Sequence, residues 1–157
     1  MAISKQLDAV QKAVIAIHRE VHGESPSPMK LQKLCYYAQG YMLAESGELF
    51  PEDFQAWQHG PVIPELYKEY ANFQWRAIDV TIPEGSLDSG VKDAVSDIVI
   101  AYSRYDGAAL STMTHRESPW IDARGDLPES EGSNEIIPKE SLKKFFAEKL
   151  RAHGEAQ

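Results

Sequence analysis

Apolar residues recur at alternating steps of three and four from Leu7 through Val10, Val14 and Ile17 to Val21. That spacing is one face of an α-helix, with the intervening Lys, Gln, Arg and Glu residues turned to water. It predicts a helix over residues 4–22, stopped by Gly23. A Ser-Pro-Ser-Pro connection follows, and Ser27 is a good N-cap with Pro28 at the first helical position, where no amide partner is needed. A second helix is predicted over residues 28–46, with Leu31, Leu34, Cys35, Ala38, Tyr41 and Met42 as its buried stripe and Gly47 near its end.

Beyond Leu49 the period changes. Gly60-Pro61 marks a turn, because proline pushes its predecessor out of helical geometry, and a short helix over residues 62–70 carries Leu66, Tyr67 and Tyr70. Ile78, Val80 and Ile82 alternate with polar neighbours and predict a strand, paired with the stretch from Asp53 to Trp57 as a two-stranded ribbon. The helical period returns over residues 87–105 with Val91, Val95, Ile98, Val99 and Tyr102. Short helices are expected at residues 108–114 and 120–123, then a polar loop over residues 125–134. A last helix over residues 139–150 uses Leu142, Phe145, Phe146 and Leu150. The expected fold is a mainly α (α+β) compact helical domain with a small β-ribbon, a single domain over residues 1–151, and a frayed tail over residues 152–157. Trp57 and Trp120 are both expected to be largely buried.

Composition narrows the function. The chain has 157 residues, 43% of them hydrophobic, three Trp and seven Tyr, which is ample material for a core. Its net charge is −8 and its Lys and Arg residues are scattered, which excludes the concentrated basic face that nucleic-acid binding requires. The single Cys35 excludes a disulfide framework and reads as a small packed residue. No basic stretch followed by an apolar run opens the chain, and no run is long enough to span a membrane, so a cytoplasmic protein is expected.

Three groups of residues could carry chemistry. Trp57 to Val62 could line a small pocket, but a Gly-Pro turn flanked by apolar residues is mostly architecture. Ser111, His115 and Glu117 are the residue types of an acyl-transfer triad, yet they lack a nucleophile elbow, and closeness in sequence is no evidence of triad geometry. His18 and His22 stand four apart, as helical zinc ligands do, without an adjacent acid or a third ligand; they read as solvated surface residues. No metal and no cofactor are expected.

The run from Lys30 to Gly40, which holds Leu31, Lys33 and Leu34, resembles the first signature of the Panacea domain, the SocA-like antitoxin family often found in prophages. Ala56-Trp57, Gly60-Pro61-Val62 and Tyr67 are similar to its second block. Leu110-Ser111, Thr114-His115 and Pro119-Trp120 look like its third. The resemblance implies an antitoxin that neutralises a small toxin by direct contact, with one branch of the family acting as an adaptor that hands its toxin to a protease complex. It also implies that the motif residues maintain the fold while other surfaces select the partner. Tyr70, Phe73 and Trp75 are the candidate partner-binding anchors, because aromatics dominate interface hot spots. The alternative is a small hydrolase using His115 with Ser111 or Glu117.

Overall fold

The computed structural model describes residues 3–82 and 87–155, with side chains described as far as His153. The described residues form α1 (Lys5–His22), α2 (Pro28–Glu45), β1 (Gln55–Trp57), β2 (Gly60–Val62), α3 (Pro64–Tyr70), α4 (Ser89–Tyr102), α5 (Gly107–Thr114), α6 (Ser118–Arg124) and α7 (Lys139–Glu155), with one 3₁₀ turn at Ala71–Phe73. The architecture is mainly helical with a two-stranded antiparallel sheet. Caps set the starts of the first two helices: Ser4 accepts from Leu7 N at 3.0 Å, and Ser27 accepts from Lys30 N at 3.2 Å.

α2 is the axis of the fold and touches α1, α3, α4, α5, α7 and β2. Its buried residues include Gln32, Lys33, Tyr36, Tyr37, Gln39 and Gly40, well beyond the apolar stripe read from its spacing. Gly40 lets α7 approach: a Cβ there would lie 2.2 Å from the Phe146 ring. Two glutamines act as substitutes for backbone. Gln32 donates to Ile63 O at 3.0 Å and accepts from Ile63 N at 2.8 Å, while Gln39 donates to Phe50 O at 2.8 Å and accepts from Leu49 N at 2.7 Å. Each pins a non-helical segment to α2 and leaves no buried amide unpaired there.

Several expectations are corrected. The ribbon pairs β1 with β2 in the register Gln55 with Val62 and Trp57 with Gly60, so residues 78–82 are not its second strand. They run extended across the α1–α2 turn, where Ile78 N donates to Pro26 O at 3.0 Å and Arg19 donates to Ile78 O and Val80 O. The alternation there reflects a segment with Ile78 fully buried and its polar neighbours facing water. On its other side β1 meets the returning chain, with Ala56 N donating to Glu135 O and Ile137 N to Phe54 O, both at 2.8 Å. Val21, placed on the buried stripe, is 46% exposed. His18, read as a surface residue, is 2% exposed, and its Nδ1 is 2.6 Å from Glu24 O. Trp120 is buried as expected, whereas Trp57 is only half-buried. The last helix continues five residues past its expected end; residues 156 and 157 lie outside the described residues.

Candidate partner-binding groove

The hairpin of β1, the Gln58-His59 turn and β2 is held by side chains from two distant stretches of the chain. Arg124 Nη1 donates to Ala56 O at 3.0 Å and Trp120 Nε1 to Trp57 O at 2.8 Å. Ser111 Oγ donates to His59 O, and Lys33 Nζ to Pro61 O at 3.2 Å. Carbonyls that two three-residue strands would leave to water are thereby satisfied, and the turn is fixed on the helical body. Gly60 makes the close approach possible: its φ is +118°, and a Cβ would meet Lys33 Cε at 2.7 Å and Thr114 Oγ1 at 2.8 Å.

His115 stacks on Trp120 at 4.1 Å, and its Nε2 is buried without a hydrogen-bond partner. Burial pushes its imidazole down from the usual range. Glu117 is elsewhere engaged: it accepts from Tyr36 Oη and Tyr37 Oη, each at 2.9 Å. Burial pushes its carboxyl up, and the two tyrosine donors oppose that rise. Ser111, His115 and Glu117 are therefore close in sequence while their side chains are engaged in three different places. The Ser111 hydroxyl bonds to His59 O, the His115 ring stacks on Trp120 and the Glu117 carboxylate takes the two tyrosine hydroxyls, and none of these side-chain contacts joins two of the three. Cys35 is fully buried, and burial pushes its thiol up to about 12. Among the described residues, no group of three or more His, Cys, Asp or Glu side chains is placed to hold a metal ion.

In front of the braced hairpin lies an open groove of about 1100 Å³. Its floor is the first half of α2, with Met29 and Lys33; its walls are the hairpin with Trp57, the α3 side with Tyr67 and Trp75, and the start of α5. Trp75 is 79% exposed and Tyr67 45% exposed, and the Tyr67 ring meets Trp57 edge to face at 5.2 Å. Of the three candidate anchors, only Trp75 stands in solvent. Tyr70 and Phe73 are half-buried against the core, and Tyr70 Oη donates to Gln11 at 2.9 Å. The backbone turns sharply just before Trp75, where Gln74 has φ +56° and ψ −115°, a conformation that costs a non-glycine residue about 1–3 kcal/mol.

Lys33 is 1% exposed, as buried as the aliphatic core, and burial lowers its ammonium from the usual 10.5 to about 7. Sequence reading singled it out only as a motif residue. It missed Met29 and Gln74 as groove residues, and it missed Arg124 as a brace; only the meeting of α2, the hairpin and α6 in space gives them these positions.

The fold and this groove define a helical domain with a rigid, solvent-open aromatic surface. The family model described as "Antitoxin SocA-like, Panacea domain" matches residues 31–121, more than half of the chain, and the chain belongs to that family. It is also 28% identical over 108 residues to a protein of Caulobacter vibrioides named Antitoxin SocA, an alignment covering 60% of this chain and 57% of that protein. The chain thus spans little more than half the length of that relative. No solved structure matches. No helix among the described residues is long and apolar enough to cross a membrane.

Proposed function

We propose that this protein is an antitoxin that neutralises a cognate toxin by direct protein–protein contact through the groove in front of the hairpin. The observation that carries the reading is the exposure of Trp75 and Tyr67 around one mainly apolar groove, in a chain of an antitoxin family. Large exposed aromatics on a firm scaffold are what an interface hot spot needs, since little conformational freedom is lost on binding. A stable complex buries roughly 1,200–2,000 Å² in total, so the groove would be the centre of a wider contact. Hydrolysis by Ser111, His115 and Glu117 finds no support in their geometry, because the Ser111 hydroxyl is bonded to the hairpin and the Glu117 carboxylate to two tyrosines, while the His115 ring is stacked on Trp120.

The test is co-expression of the domain with the product of each adjacent open reading frame that is toxic alone. Rescue should follow the molar ratio of the two proteins, and the pair should co-elute as a stoichiometric complex. Rescue at sub-stoichiometric amounts with no complex would reject the proposal. Toxin abundance separates two ways of acting on the bound toxin: unchanged levels indicate direct blocking, and protease-dependent loss indicates an adaptor.

A further inference from the structure

We propose that the groove receives a short extended segment of the partner polypeptide, and that one aspartate or glutamate side chain of that segment reaches Lys33. This deepens the antitoxin reading above and rests on it. The starting observation is a buried amine with an incomplete set of partners. Lys33 lines the groove at 1% exposure, and its hydrogen bond to Pro61 O uses one of the three donors of an ammonium. No carboxylate among the described residues forms an ion pair with it: the described salt bridges belong to Lys12 and Lys139. Asp106 sits on the groove's edge, exposed, where it caps α5 by accepting from Ala109 N at 2.8 Å.

An ammonium held out of water with donors to spare is costly, and folded proteins rarely keep one without a partner. Here a partner has a place to approach from, because Lys33, although buried, is one of the residues that line the groove. The surrounding chemistry specifies the rest of the occupant. Trp57, Tyr67, Trp75 and Met29 line the same groove and offer apolar contact, so the segment that fits combines apolar or aromatic residues with one acid. At about 1100 Å³ the groove has room for several residues of chain. The hairpin wall is fixed by four side-chain braces, so the site is formed before the segment arrives.

The experiment selects from a phage-displayed library of random twelve-residue peptides on the immobilised full chain. Recovered peptides are then synthesised in pairs, with each acid and with its amide counterpart. Peptides whose binding is lost with Trp75→Ala should carry an Asp or Glu together with apolar residues, and acid→amide replacement should weaken them at least tenfold. That change is made on the peptide, so it leaves the fold of the protein untouched. Lys33→Met, once shown folded by circular dichroism, should bind acid and amide forms equally. Selected peptides without an acid, an acid preference that survives Lys33→Met, or a selection yielding nothing sensitive to Trp75→Ala would each overturn the proposal. A Lys33→Met protein that rescues toxin-expressing cells as well as wild type would also sink it while leaving the antitoxin reading intact. Failure of the wild-type chain to rescue would instead sink that reading.

Discussion

Two buried ionisable side chains sit against α2, one turn apart along it, and they are treated in opposite ways. On one side Glu117 enters the core between Tyr36 and Tyr37, accepts a hydrogen bond from each hydroxyl, and is ringed by aromatics: Tyr37 stacks on Tyr102 at 4.0 Å, and Tyr36 packs edge to face on Phe54 and Phe146, each at 5.6 Å. On the other side Lys33 has one carbonyl at 3.2 Å and a groove in front of it. Satisfied polar clusters rigidify a core, and a half-satisfied buried group calls for an explanation, which the proposed acidic partner supplies for Lys33. The comparison separates architecture from function more sharply than burial does, since both residues are almost fully buried.

The largest effect should come from emptying the satisfied side. Glu117→Ala leaves two buried tyrosine hydroxyls without an acceptor and should cost about 3–5 kcal/mol, read from urea unfolding midpoints. A loss below about 1 kcal/mol would mean that the cluster does not act as a unit. Packing on that side is tested by Gly40→Ala, whose new methyl meets the Phe146 ring at 2.2 Å. It should destabilise by about 1–3 kcal/mol, with recovery when Phe146 is made smaller in the same protein.

Lys33→Met should behave differently despite equal burial. Removing an ammonium from an apolar site offsets the lost bond to Pro61 O, so at pH 7 and below stability should stay within about 1 kcal/mol of wild type. The pH profile sharpens this point. Lys33 loses its proton near pH 7 when folded and near its usual 10.5 when unfolded, so between these values the unfolded state binds more protons. Wild-type stability should therefore rise relative to Lys33→Met from about pH 7 to about 10.5 and run parallel to it below pH 7. Parallel curves throughout would place the ammonium in water. The smallest effect on the fold belongs to Trp75→Ala, within about 0.5 kcal/mol of wild type by thermal unfolding, because the indole is a surface group. The same change should weaken partner binding by about 2 kcal/mol or more, measured by calorimetry on the isolated complex.

Much of the helical scaffold was legible in the chain because its signals are local. Three-four spacing, Ser27 as a cap and the Gly23 stop depend on near neighbours, and the observed α1 and α2 lie within a residue of their predicted bounds. The ribbon was half legible. Gly60-Pro61 was read as the turn, whereas the chain turns one step earlier at Gln58-His59 and Gly60 and Pro61 open β2, and the alternation at Ile78, Val80 and Ile82 had another cause. His18 was misread because its neighbours look like a wet face, while the chain returning past Glu24 and Ser25 covers it.

The sequence by itself determined the succession of helices, the net charge of −8 and the family to which the chain belongs, all of them properties of neighbouring residues or of composition. Tertiary structure alone decided which polar residues of α2 are fed and which are left waiting. Glu117 lies 81 residues from Tyr36 and 80 from Tyr37, Lys33 lies 28 from Pro61, and no periodicity reports a hydrogen bond over such separations. It also decided that Trp75 faces solvent while Phe73, two positions earlier, packs on the core. An aromatic side chain is apolar in either place, and only the completed surface around it settles whether water or protein lies on its far side.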